Sequence, residues 1–489
     1  MEKHRVAPIK QVVWFTIISY MGTAIGIVSS LLLYPKNLEF QGIVRYIDSI
    51  AQLLFPIMVF GASQALIKFY PAISEERQKQ LFNYSLVSVG VISVFVFLGI
   101  VSYEGFGDPQ YKGLVYFAFP VAVSLAFVEL FKKQLQDLQK IALPAMFEKL
   151  IPKIVLPIAF LLLIYANYTR DAVLAIYVAG YVLILVFTAI YLFKRYKPTL
   201  NYRFKTLFGE ISRKEYFRYS LFSLAGSLGS LLAFRIDGLI IPKMISMEAN
   251  GIFSIGAILA TTLQIPAVGL FALYAPIISN YLKDQDFLRL NIKYKETARL
   301  LFFIGAVLYG CIFLGLEDLF RLMPDYNKLQ ATIPIIKILG FSVLINMATG
   351  FNGEIITYSK YYRFNLVSVF LLIAVTVVLN IYFINAGYGI EGVAWASFIS
   401  MTLFNVSKLL FIYKKFGILP FDKKFLTMAA IFTVLGIFIY ILPETGSHFL
   451  NVTYKVFAYT GLTVLVLYKL KLVYQVNVSI DNILGRIRK

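Results

Sequence analysis

Apolar blocks about twenty residues long recur along this chain from end to end, and no other feature restricts its folding so severely. Peptide groups inside hydrocarbon find no water, so a spanning chain is either a set of helices or a closed barrel. These blocks are continuous and long enough to cross as helices. The blocks predict about fourteen transmembrane helices: Ile9 to Leu33, Ile43 to Phe69, Leu81 to Tyr103, Leu114 to Phe131, Ile141 to Tyr165, Ala172 to Phe193, Tyr219 to Ile241, Ile252 to Asn280, Leu300 to Leu316, Leu329 to Gly353, Phe364 to Ala386, Gly392 to Phe411, Phe425 to Leu442 and Val452 to Leu472. At 59% hydrophobic and 15% charged residues, with mean hydropathy +0.76, composition excludes a soluble domain. The expected class is an all-α integral membrane protein.

The formal net charge is +20. Lysine and arginine crowd into every second connection, while the alternate set holds only Lys36, Lys112, Arg170, Lys243, Arg321, Lys328 and Lys455. This asymmetry predicts an even number of spans with both termini cytoplasmic, and it explains the basic balance without a nucleic-acid partner. The first block has no small-residue cleavage site behind it and is expected to remain as a signal anchor. The outer connections are too short to hold a catalytic domain. The one long inner connection, Lys194 to Arg218, mixes basic residues with Tyr, Phe and Leu and reads as a linker lying on anionic inner-leaflet lipid. A single cysteine, Cys311, leaves no internal disulfide and reads as a core residue.

The two halves of the chain share a pattern. LLLYPKNLEFQGIV and GLIIPKMISMEANGIF each carry Pro-Lys and then a short loop closed by Gly-Ile, at Gly42-Ile43 and Gly251-Ile252; Pro56 and Pro266 follow at nearly the same interval. Both halves start inside with six helices, so the repeat is parallel, about an axis along the membrane normal. The expected organisation is a six-helix lobe at 1–198, a basic cytoplasmic linker at 199–218, a second six-helix lobe at 219–415, and helices 13 and 14 with a basic cytoplasmic tail at 416–489.

The segments LYPKNLEFQGIVRYIDSIAQLLFPIMVFGASQALIKFYP and FRIDGLIIPKMISMEANGIFSIGAILATTLQIPAVGLFALYAPIISNYL resemble the polysaccharide and O-antigen flippases of the multidrug/oligosaccharidyl-lipid/polysaccharide exporter superfamily. The resemblance extends over essentially the whole chain through diffuse motifs. It implies two six-helix lobes in a V around a central cavity, in a bacterial cytoplasmic (inner) membrane. The last two helices resemble the extra pair of the fourteen-helix lipid II flippases, which there flanks the C-terminal lobe and helps form a groove for a lipid tail. Arg235 and Asp237 match the R-x-D segment common in helix 7 of the flippases.

Charges inside apolar blocks carry the functional reading. Each costs roughly 2.5 to 3.5 kcal/mol on insertion scales, so it belongs against protein or a watery cavity. Five basic residues stand out: Arg45, Lys149, Lys153, Arg235 and Lys337. Arg235 and Asp237 are two apart on a helix, point in different directions, and each needs a partner from elsewhere. Arg45 and Asp48, three apart, are able to pair with each other. Lys149 and Lys153 put two like charges on one face, which an anion would relieve; Glu148 is adjacent in sequence and points elsewhere. A later helix start would leave both lysines interfacial, and the flexible stem of Lys337 is long enough to snorkel to the interface. Pro144, Pro152, Pro157, Pro266 and Pro276 mark candidate bends, for alternating access or for packing alone.

These cations suit a pyrophosphate leaving water, since Arg and Lys lining an aqueous cavity replace lost hydration with charge-assisted hydrogen bonds. The expected substrate is an undecaprenyl-pyrophosphate-linked oligosaccharide, with membrane lipids and a polysaccharide polymerase or glycosyltransferases as expected partners, and a monomer as the default state. The alternatives are a lipid II-type flippase and a multidrug cation antiporter of the same fold. No G-x-x-x-x-G-K-[ST] loop is present, and His4 and His448 lie far apart, so the expectation is a transporter without metal or other cofactor rather than an enzyme. Coupling to proton, sodium or membrane potential stays open, with Asp48, Glu148, Asp237 and Glu354 as candidate carboxylates.

Overall fold

A computed structural model describes residues 9–103, 109–138, 140, 142–198 and 201–487, and among them there is no strand. They fall into two compact units, Met1–Gly251 and Ile252–Lys489. His4 and linker positions 199 and 200 lie outside the described residues.

The first unit holds α1 (Ile9–Leu32), α2 (Leu38–Val59), α3 (Ala62–Phe69), α4 (Glu75–Tyr103), α5 (Pro109–Asp137), α6 (Ala142–Tyr165), α7 (Arg170–Phe193), α8 (Phe204–Glu210), α9 (Arg213–Arg235), α10 (Asp237–Met244) and the first turns of α11 (Met247–Thr261). Side-chain oxygens start several helices by accepting otherwise orphaned amides, Asn37 from Phe40 at 2.9 Å and Thr169 from Ala172 at 3.4 Å. The second expected span is broken where Phe60 and Gly61 both adopt positive φ, 45° and 71°. Glycine is required at the second position twice over, because any Cβ there would also strike the Ser220 carbonyl of α9.

The glycines of the repeat come together inside this unit. A Cβ on Gly42 would run into the Met247 carbonyl oxygen, and one on Gly251 into that of Leu38. Each glycine thus faces the residue four before its counterpart, the reciprocity expected of two copies meeting near a two-fold axis. Asn250, beside Gly251, donates to the Gly42 carbonyl at 2.8 Å.

The second unit continues with α12 (Ile265–Lys283), α13 (Phe287–Arg321), α14 (Tyr326–Leu329), α15 (Ile333–Ala348), α16 (Asn352–Tyr358), α17 (Arg363–Asn385), α18 (Gly389–Phe416), α19 (Lys423–Ile441), α20 (His448–Lys469) and α21 (Tyr474–Ile487). Asp286 and Asp422 cap α13 and α19 through the amides of Arg289 and Phe425, at 3.0 and 2.8 Å. A 3-10 turn at Thr262–Gln264 interrupts the eighth expected span just before Pro266.

Eleven stretches of described helix are long and apolar enough to cross a membrane. The other three expected spans are also occupied by helix: α1, α6 with its Glu148, Lys149 and Lys153, and the interrupted pair α9 and α10. The chain is an all-α membrane protein of about fourteen spans.

Candidate functional site

In the first unit the charged residues of α2 meet those of α9 and α10. Arg235 donates to Asp48 at 2.6 Å, with the two side chains 31% and 16% exposed. The expected pairing of Asp48 with Arg45, one turn away on its own helix, is therefore replaced by a pairing across helices. Arg45 lies nearby, with Arg235, Asp48, Asp237 and Tyr177 as its electrostatic neighbours. Its Nε is buried without a hydrogen-bond partner. Gly238 admits this arrangement, since a Cβ there would collide with Ser49 Oγ and approach Arg45 Nε to 3.3 Å. Asp237 is buried at 8% exposure, and the helix is interrupted at Ile236 between it and Arg235.

Tyr177 and Tyr181 of α7 back this cluster, their hydroxyls 3.1 Å apart and both rings buried. The assembly of two arginines and two aspartates is formally neutral, so Arg235 is a compensated cation rather than a bare one. Breaking such a pair by removing one member strands a charge, at a cost of roughly 3–5 kcal/mol where burial is complete.

The lysines of α6 have different surroundings. Glu148 is committed to Lys132 of α5 at 2.6 Å, and Lys132 also meets Glu129 at 3.2 Å. Lys153 packs its stem near Gly22 of α1 and donates to Thr23 Oγ1 at 3.3 Å, a neutral acceptor. No carboxylate lies in ion-pair range of it among the described residues. Lys149 is exposed.

The prolines divide. Pro144 and Pro266, both candidate bends, sit in the first turns of α6 and α12, where the amide has no intrahelical acceptor, so neither removes a helical hydrogen bond. Pro152 and Pro157 are interior to α6. Pro276 lies within α12, with its side chain outside the described residues.

Within the second unit, Lys337 lies 4.9 Å from the centroid of the Phe313 ring, while Glu354 on α16 has Lys408 of α18 as its charged neighbour. Lys408 was missed in the sequence: at 7% exposure it lies 3.8 Å over the Phe404 ring. Its place near the inner end of the twelfth span made it look like a cytoplasmic rim residue. Beside it Asn405 accepts from Asn352 at 2.9 Å and from Thr349 at 3.2 Å.

A cavity of about 760 Å³ opens between α13, α15, α19 and α20, lined almost wholly by apolar groups including Phe302, Tyr309, Phe313, Phe432, Tyr440 and Tyr459. Tyr459 covers Gly310, where a Cβ would enter its ring, and donates to the Ala306 carbonyl at 3.2 Å. At the other end of α13, Asp318 meets His448 at 2.8 Å and Lys455 at 3.4 Å, and Lys455 also reaches Glu444 at 3.3 Å. Lys455, expected in an outer loop, is instead a buried residue of α20, because α20 begins at His448 and carries it inward against Asp318.

Among the described residues no group of His, Cys, Asp and Glu side chains is arranged to hold a metal ion. In fold, the chain is similar to the lipid II flippase MurJ in an inward closed conformation, with TM-score 0.71 and 15% identity over 94% of this chain and 99% of that one. It is also similar to an inward-facing multidrug resistance MATE family transporter of the MOP superfamily, with TM-score 0.63 and 14% identity over 83% and 98% of the two chains. A MOP superfamily transporter from Pyrococcus furiosus aligns with TM-score 0.51 and 14% identity over 84% and 93%. Curated proteins give no significant sequence match. These fold neighbours are transporters, not enzymes. The sequence model described as polysaccharide biosynthesis protein matches residues 10–282, more than half of the chain, and the chain, a multi-pass membrane protein, therefore belongs to the polysaccharide biosynthesis protein family.

Proposed function

We propose that this chain moves an undecaprenyl-pyrophosphate-linked oligosaccharide, an O-antigen, capsule or exopolysaccharide unit, from the inner to the outer leaflet by alternating access. One observation carries the choice of an anionic headgroup. Lys153 sits within an apolar helix and donates to the neutral hydroxyl of Thr23, while the adjacent Glu148 is held by Lys132. An ammonium group left without a carboxylate favours a phosphoryl oxygen as its acceptor. Lys149, one turn away and exposed, adds a second positive charge on the same helix face. Arg45 and Arg235 sit in a neutral cluster whose ion pair a diphosphate is able to exchange for itself, releasing Asp48 as a coupling carboxylate; Lys337 is the corresponding cation in the second unit. The apolar cavity against α19 and α20 would accept part of the polyprenyl tail. Membrane potential, proton or sodium would supply the energy, with Asp237, Glu148 and Glu354 as further coupling groups.

Reconstituted vesicles given fluorescent polyprenyl-pyrophosphate-linked sugars test this reading. Translocation of these, and not of lipid II or a cationic drug, is the expected result. Lipid II as sole substrate, or export of cations, would replace it with one of the other transport classes of the fold. A Lys149→Ala/Lys153→Ala variant that transports normally would remove the lysine pair from the mechanism.

A further inference from the structure

The cytoplasmic linker does not simply drape over the membrane. It folds back on the first unit, with Leu207 fully buried and the Tyr84 ring of α4 meeting Phe204 and Phe208 edge-on at 5.1 and 5.2 Å. Glu210 accepts from the Ser74 amide at 3.1 Å and pairs with Arg77 at 3.4 Å, while Glu215 pairs with Lys68 at 3.0 Å. These are the only two acids between residues 201 and 218, and both are engaged. What remains is a cleft of about 750 Å³ with aromatic walls and three basic side chains, Arg203, Lys205 and Arg213.

None of the three has a carboxylate in ion-pair range among the described residues; Arg213 lies 5.1 Å over the Phe208 ring. Tyr202 and Phe217, also lining the cleft, are 53% and 47% exposed. Tyr84 belongs to α4 and Phe217 to α9, and the linker joins two expected spans on the side where basic residues accumulate, which would set these rings at the depth where aromatic residues meet lipid headgroups. Uncompensated guanidinium and ammonium groups above aromatic walls match a phosphodiester whose acyl chains begin a few ångströms away. We propose that this cleft binds the headgroup of an anionic glycerophospholipid of the cytoplasmic leaflet. The lipid then fastens the linker between α7 and α9 to the bilayer. A soluble protein partner is a poorer fit, because the exposed rings would be immersed in the interface that it must displace.

The test uses the full chain in detergent micelles with fluorescent phosphatidylglycerol, and fluorescent phosphatidylcholine as reference. Preference for phosphatidylglycerol is expected in the parent protein, falling roughly a hundredfold in Arg203→Gln/Lys205→Gln/Arg213→Gln, since a basic residue near an anionic surface contributes about 1 kcal/mol, or about fivefold. The exposed single reversal Lys205→Glu should lower it as well, and guards against a folding defect in the triple variant. Lys423→Gln/Lys424→Gln, basic positions on α19, should leave the preference intact. Equal binding of the two lipids by the parent, or an undiminished preference in both cleft variants, would overturn the proposal. Farnesyl pyrophosphate or inorganic phosphate displacing the probe more strongly than unlabelled phosphatidylglycerol would equally overturn it, by assigning the cleft to a different phosphate source.

Discussion

The charged cluster of the first unit and the aromatic cavity of the second solve opposite problems. Around Arg235 the named partners are polar and the geometry is tight, a 2.6 Å ion pair flanked by Arg45, Asp237 and two buried tyrosines. Around Tyr459 the lining is almost wholly apolar, with no charged side chain. The difference matters because a lipid tail leaving the bilayer for an apolar cavity exchanges one hydrocarbon environment for another and gains little. A charged headgroup leaving water gains or loses far more. Energetic discrimination should therefore reside with the ionic residues, and the cavity should act on tail length and orientation.

The sharpest way to break this contrast is Asp48→Asn. It strands Arg235 and leaves Asp237 alone to offset two arginines, and should cost less than the roughly 3–5 kcal/mol of a fully buried pair because Arg235 is 31% exposed, read as a lower unfolding temperature in nanodiscs. Asp48→Asn/Arg235→Gln should recover most of that stability. If transport recovers with it, the cluster is architecture and the headgroup chemistry lies with the lysines. Next in size, Lys149→Ala/Lys153→Ala should weaken headgroup affinity by roughly tenfold to a hundredfold per lost contact, at about 1.5–3 kcal/mol each, with little change in unfolding temperature. Binding of pyrophosphate-linked and uncharged polyprenyl ligands distinguishes this from general damage.

A smaller effect is expected in the cavity. Ala429→Trp would fill part of its volume and should slow a long-chain substrate less than about tenfold while sparing a short-chain one, because the displaced tail still finds lipid. Equal loss for both chain lengths would show that the cavity does more than accommodate a tail. The smallest effect concerns the linker. The Ser74 amide, assisted by the Ser74 hydroxyl and Arg77, holds the Glu210 carboxyl below the ordinary carboxylate range. A depressed pKa makes this tether complete above the ordinary value of about 4.3 and lost as pH falls through the lowered one. Amide exchange at Phe204–Glu210, corrected for intrinsic rate, should stay constant from about pH 7 to 5 and rise only in stronger acid. Loosening already near neutrality would mean that Glu210 is not the tether.

Much of the fold was legible because its cause is one-dimensional. Apolar length determines spans, and the bias of Lys and Arg sets the expected topology, without reference to which helix touches which. The repeat was legible too, since Gly42 and Gly251 are conspicuous between matching flanks; their reciprocal contact was not, because periodicity carries no distance. The site was read less well. Asp48 and Arg235 are far apart in the chain, so a reader of local spacing pairs Asp48 with Arg45 instead. The burial of Lys455 and Lys408 was not legible, because charge near a span end looks solvated until the neighbouring helices are in place.

By itself, then, the chain of residues determined that this protein is a helical membrane protein and where its charges had to be hidden, while the breaks at Phe60–Gly61 and Thr262–Gln264 appeared only in the folded chain. Only tertiary structure decided which charge neutralises which: Arg235 by Asp48, Lys132 by Glu148, Lys455 by Asp318, with Lys153 left to a hydroxyl. The reason is physical. Burial in hydrocarbon depends on composition along a segment, whereas an ion pair is decided within a few ångströms, a distance that only the packing of remote segments sets.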